Sequence, residues 1–153
     1  MLEINKQEMK YSSQGKRISV YKRDGNGDIV YQSYVDADGN TIFYLDDNGE
    51  KIPTIIDERI GFSDPQTFYA NISNKLSEVL VKEFGIDDSS TYVQIVTDKG
   101  YLPLRAGDVV WKKSEVGYDA DGLVDSTTAD YTVKGVADEG LTVDLFLLQK
   151  IVK

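Results

Sequence analysis

The sequence predicts a mainly β protein: a small β-barrel with an inserted acidic hairpin region, one short helix at about residues 74–84 and a closing C-terminal hairpin. Three observations carry that expectation. Apolar and polar residues alternate with period two over most of the chain. Asp-Gly and Asn-Gly turn signals recur every 10–14 residues through the first half, the spacing of an all-β protein, without forming a repeat that would indicate a solenoid. Helical spacing occurs in one stretch only. A chain of 153 residues, 41% of them hydrophobic, suffices for one domain with a core. Within a single domain over 1–153, residues 1–15 read as a flexible basic arm, 24–62 as the acidic hairpin insertion and 66–153 as the barrel core.

Lys16–Arg23 alternates with Ile18 and Val20 on one face, and Asp24-Gly25-Asn26-Gly27 supplies the positive φ of a tight turn. Asp28–Val35 is the returning strand, Asp36-Ala37-Asp38-Gly39 turns again, Asn40–Leu45 is extended, and Asp46-Asp47-Asn48-Gly49 makes a third turn. Glu50–Ile56 reads as a short strand that Pro53 confines to an edge. Gln66–Ser73 is the next strand. Leu76, Val79, Leu80 and Phe84 then form an apolar helical stripe, with Ser73 or Asn74 to cap its start and Gly85 its end. Thr91–Asp98 alternates, with Val93 and Ile95 opposite Tyr92 and Val96. Asp108–Lys113 carries Trp111, the only tryptophan, and residues 114–129 read as a long loop. Asp130–Ala137 and Leu141–Val152 pair across Asp138-Glu139-Gly140.

The charge of −9 is unevenly placed. Residues 1–23 hold six cations against Glu3 and Glu8, a net of +4. Residues 24–50 hold seven acids and no cation, and residues 114–145 hold eight acids against Lys134, a net of −7 in each case. These two regions are solvated turns or loops that present negative charge to a partner or a channel. A protein that neutralised duplex phosphates would show the opposite sign. Tyr31, Tyr34, Tyr44 and Tyr69 sit on strands around the acidic turns, as sheet packing or as a protein interface. Lys16 and Arg17 join Tyr31, Tyr34 and Tyr44 as candidate ring or partner contacts.

With no His and no Cys, the chain has no disulfide, thiolate nucleophile, imidazole base or zinc site of the usual nitrogen and sulfur kind. Asp36, Asp38 and Asn40 place oxygens as the start of a calcium loop does, but Thr41 and Asp47 stand where that loop needs Gly and Glu. Ser13-Gln14-Gly15-Lys16 matches a Ser-x-x-Lys nucleophile pattern without its companion motifs. The expectation is a protein that is no enzyme and has no cofactor and no metal. No apolar run marks a secretory signal near Met1 or a membrane span, so a soluble cytoplasmic origin is expected and the Asn71-Ile72-Ser73 sequon has no role.

Ala70-Asn71-Ile72-Ser73, then Phe84-Gly85-Ile86-Asp87, then Val96-Thr97-Asp98, Pro103, Asp108 and Trp111 occur in an order and spacing that resembles the head-closure proteins of long-tailed bacteriophages, also called stopper, head-completion or head–tail joining proteins. Asp130-Tyr131-Thr132-Val133-Lys134 with Leu141–Lys150 is similar to that family's final hairpin. The likeness covers residues 66–153. Its motif positions here are Asn71, Ile72, Phe84, Gly85, Asp98, Pro103, Trp111 and Tyr131. The resemblance implies a β-barrel subunit of a virion, assembled in the host cytoplasm as a hexameric ring beneath the portal and adaptor rings. Such a ring retains packaged DNA and docks tail proteins. It also implies a loop projecting into the channel. Here Asp36, Asp38, Asp46, Asp47 and Glu50 are the first candidate for it, and Asp119, Asp121 and Asp125 the second. Lys75–Glu83 is longer-chained and more helical than the family pattern, and the acidic region is enlarged. A tail-terminator or other connector ring protein is the nearest alternative. A β-sandwich module binding carbohydrate and calcium is the alternative from another class.

Overall fold

The computed structural model describes residues 6–86 and 91–153. In chain order its barrel strands are β1 (Gln7–Ser12), then, after an arm described below, the others. The arm contains β2 (Lys16–Tyr21), β3 (Ser33–Val35), β4 (Thr41–Phe43) and β5 (Ile55–Gly61). The barrel resumes with β6 (Gln66–Ala70), β7 (Ile72–Ser73), helix α1 (Glu78–Phe84), β8 (Tyr92–Asp98) and β9 (Val109–Trp111). A small hairpin of β10 (Gly117–Tyr118) and β11 (Val124–Asp125) precedes β12 (Tyr131–Ala137) and β13 (Val143–Lys150).

Seven strands form one antiparallel sheet in the order β6-β1-β9-β12-β13-β8-β7. Its two outermost strands are consecutive in the chain and separated only by Asn71. One bent strand therefore pairs with β1 before the bend and with β8 after it, which nearly closes the sheet into a barrel and leaves little free edge.

Period-two alternation points one set of side chains inward. Met9 stands opposite Phe68, Ile95 opposite Phe146 and Val93 opposite Leu148, all buried. Leu102 and Leu104 flank exposed Pro103 and add to the same cluster. Complete burial of a side chain of this size stabilises by about 1.5–3 kcal/mol.

The outer face is covered in two places. Helix α1 lays Leu80 over β12 and β13, against Leu147 and Ala137, so Leu147 and Leu148 are both buried on opposite sides of one strand. Segment 114–129 covers Trp111, packing Ala129, Val116 and Val124 against it.

Several expectations need correction. Residues 7–12 are not part of a flexible arm; they form β1, an interior strand of the barrel, with Met9 almost fully enclosed. The alternation of Met9 and Tyr11 is too short a signal beside the six nearby cations to be read as a strand. The barrel therefore includes β1 as well as residues 66–153. The inserted arm runs from β2 to β5, about residues 16–61, because β2 pairs along its length with β5. Helix α1 starts at Glu78, after Ser77, and not near 74: Ser73 Oγ accepts the Lys75 N–H in a local turn, and Gln94 Oε1 accepts the Ser77 N–H. The shorter helix turns Val79 to solvent, while Val81 packs in its place. Gly85 does end it, left-handed at φ 62°. Segment 114–129 is not a plain loop but holds the β10–β11 hairpin and a 3-10 turn at Ser126–Thr128.

The helix docks through a close fit. The register of β12 on β13 shifts between Val133 and Gly135, and the Phe84 ring lies over Gly135. A Cβ at residue 135 would sit 2.3 Å from Phe84 Cε1. Gly135→Val is expected to destabilise the fold by about 1–3 kcal/mol, as overpacking does. Urea unfolding checks this, and Gly135→Val combined with Phe84→Ala should lose less than the two single changes summed.

Candidate functional site

The arm is built from one local device. Asp24, Asp36 and Asp46 each open a five-residue turn in which Oδ1 accepts the N–H groups two and four residues on: Asn26 and Asp28, Asp38 and Asn40, Asn48 and Glu50. The glycine at the fourth position returns its N–H to the Asp carbonyl, at φ 84° for Gly27 and Gly39 and 80° for Gly49. Asp119 repeats the geometry with Asp121, Leu123 and Gly122. These carboxylates face their own amides, not a shared point. No group of three or more acids that could hold a metal ion forms among the described residues. Asp38, Asp47 and Glu50 make no side-chain ion pair among the described residues, so their charges are uncompensated.

The two candidate acidic regions differ in their attachment. Asp121 Oδ2 lies 2.6 Å from Arg59 Nη1, a contact that raises the Arg59 pKa through hydrogen bonding and charge, and Arg23 lies against Gly122. Asp125 caps the 3-10 turn, and the Thr127 hydroxyl, then its N–H, lowers the Asp125 pKa. Asp119, Asp121 and Asp125 thus fasten segment 114–129 and the base of the arm. Lys16, Arg17 and Asp121 line one depression of about 570 Å³. Beyond it, residues 37–51 are exposed throughout.

The distal arm exposes apolar groups on two faces. Register and alternation put Val35, Phe43 and Leu45 on one face and Tyr34, Ile42 and Tyr44 on the other. Val35 is 68% exposed, Leu45 57% and Tyr44 49%. The rings of Tyr34 and Tyr44 stand 5.2 Å apart, and Lys51 Nζ lies over Phe43 at 4.1 Å and Tyr31 at 5.6 Å. Tyr69 is far from this group, on β6, where its N–H donates to the Tyr101 hydroxyl.

The motif positions are distributed around the barrel. Asn71 is the bend of the closing strand, and Ile72 pairs with Ile95 on the core. Phe84 and Gly85 dock and end the helix. Asp98 ends β8, its carbonyl accepting the Tyr101 N–H. Trp111 Nε1 donates to Thr128 Oγ1, which also accepts the Gly117 N–H and donates to the Asp125 carbonyl. Asp87 of the same motif lies outside the described residues. These positions shape the fold and do not converge on one site.

Three groups have structural roles that the sequence does not signal. Buried Asp108 accepts the N–H groups of Gln14 and Arg105, tying the β1–β2 turn to the loop before β9. Asp130 accepts N–H groups from Lys112, Lys113 and Ser114 and the Ser114 hydroxyl, with Lys153 Nζ at 3.3 Å. Beside it, Lys112, Lys113 and Lys150 surround a depression of about 400 Å³. The adjacent Lys112-Lys113 pair was the one visible signal; nothing in the sequence links it to Lys150. Partial burial raises the Asp130 pKa, but the bonds from Ser114, Lys112 and Lys113 outweigh it and hold the carboxyl well below the usual range. Burial, then the Asp130 charge, raises the Tyr131 pKa.

Fold and surfaces together define a small antiparallel barrel carrying a long acidic, apolar-flanked arm. Comparison with protein-family models, curated proteins and solved structures finds nothing that matches this chain.

A carboxyl with a depressed folded pKa stabilises the protein above its unfolded value, near pH 4, and loses that contribution as pH falls toward the folded value. Asp130→Asn should therefore cost on the order of 2 kcal/mol at neutral pH, the scale of hydrogen bonds to a charged group. Urea midpoints measured against pH should show that difference shrinking below about pH 4.

Proposed function

We propose that the protein is a non-enzymatic structural component of the head–tail connector of a tailed bacteriophage. It forms a hexameric ring under the portal and adaptor, closes the DNA channel, retains the genome and docks the tail. The virion is then its site of action. The observation that supports this most directly is the distal arm: an antiparallel ribbon with large apolar side chains exposed on two faces and no cation among residues 24–50. Such a ribbon has marginal stability by itself and suits a subunit whose faces are covered by neighbours. The barrel-like fold and the resemblance in residues 66–153 agree with a connector subunit.

Of the two candidate channel loops, Asp36–Glu50 is favoured, because Asp119, Asp121 and Asp125 are engaged with Arg59, backbone amides and Thr127. Repeated around a ring axis, Asp38, Asp47 and Glu50 would set up a concentrated negative field. That field repels DNA phosphates, disfavouring leakage and limiting adhesion during ejection.

Deletion of residues 37–48 joins Asp36 to Gly49 and removes the tip of the arm. The expected result is capsids that package DNA and then lose it, read as nuclease-sensitive DNA after packaging. Full retention of DNA with normal tail joining would sink the assignment of this loop.

A further inference from the structure

Three lysines gather at one depression in a protein of net charge −9. Lys112, Lys113 and Lys150 make no ion pair among the described residues. Asp130, which lines the same depression, is already occupied by three backbone N–H groups, a hydroxyl and Lys153. Asn74, Asp130, Tyr131 and Ile151 also line that depression, whose surface is mainly polar with a smaller apolar share from Tyr131 and Ile151. The distal arm has the opposite properties. Asp38, Asp47 and Glu50 make no ion pair among the described residues, and exposed Leu45 and Tyr44 lie immediately before Asp46 and Asp47.

We propose that the tip of the arm, residues 44–50, of one copy seats in the Lys112–Lys113–Lys150 depression of a second copy. Leu45 or Tyr44 covers Tyr131 and Ile151, while Asp47 and Glu50 meet the lysines. Charge complementarity selects this occupant. A nucleic acid would also neutralise lysines, but it would leave the apolar arm uncovered and would approach the uncompensated acids of the same protein. Arm and depression are different surfaces, so the contact is heterologous and continues from copy to copy, generating a closed ring or a filament. It deepens the connector assignment by naming the subunit contact, and rests on that assignment only for closure at six.

The test mixes isotope-labelled and unlabelled full-length chains at millimolar concentration and low salt. Carbodiimide then joins carboxylates to amines in contact, and peptide mass mapping locates the bonds. Mixed-isotope links from Asp47 or Glu50 to Lys112, Lys113 or Lys150 are expected. Lys113→Glu with Lys150→Glu should weaken association by about tenfold or more, since like charges would then face each other. Adding Asp47→Lys and Glu50→Lys to that chain should restore it, which separates a lost contact from a lost fold. A strictly monomeric protein without mixed links overturns the contact. So does association with links confined to other surfaces, an outcome that leaves the ring assignment standing. Loss of DNA binding in the Lys113→Glu, Lys150→Glu variant, with self-association unchanged, overturns it in favour of a nucleic-acid site. Conversely, particle imaging that places the protein away from the head–tail junction removes the connector assignment and leaves this contact intact.

Discussion

Closure of the barrel depends on one bent strand. Residues 66–73 serve β1 with their first half and β8 with their second, and the change of partner occurs at Asn71. Without that bend the sheet would keep two long edges and could not enclose Met9, Ile95 and Phe146 on one side. With it, the sheet nearly closes around that interior and the outer face needs only local covers. Helix α1 supplies one, fitted through Phe84 on the bare backbone of Gly135. Segment 114–129 supplies the other, with Thr128 Oγ1 joining Trp111, Gly117 and Asp125 through three hydrogen bonds.

The arm obeys different physics. A two-stranded ribbon encloses little, here Val20 of β2, so its stability comes from turns and backbone ladders more than from burial. The Asp-led turns provide this by satisfying backbone N–H groups with Oδ1 and holding Gly27, Gly39 and Gly49 left-handed. Near the barrel, Arg59 and Asp121 fix the base of the arm. Farther out, charge keeps the ribbon soluble while Val35, Tyr44 and Leu45 remain open to a partner. The acidic residues therefore have two jobs: turn formation for the leading Asp, and unopposed surface charge for Asp38, Asp47 and Glu50.

Much of the fold was legible from local signals. Alternation at Val93 and Ile95, the hairpin across 138–140, the glycine turns and the Gly85 cap all appear in the structure, because each rests on neighbours a few residues apart. The β1 strand was missed because its apolar residues are few, and its burial depends on β6 and β9, far away in sequence. Helix α1 starts later than its apolar stripe predicts because Gln94 and a Ser73 turn hold residues 73–77 out of the helix. The candidate surfaces divide in the same way. The acidic content of 36–50 was plain, whereas the engagement of Asp119, Asp121 and Asp125 and the gathering of Lys112, Lys113 and Lys150 were not.

By itself, the sequence determined a β-rich domain without His or Cys chemistry, its turn positions and the segregation of its charge. Those properties follow from residue type and short-range periodicity. Only the tertiary structure decided that the sheet nearly closes at Asn71, that one acidic region is fastened while the other stays exposed, and that three lysines share a depression. Each of these depends on strand pairing between residues tens of positions apart, a choice made by the free energy of the whole core and not by any local stretch of chain.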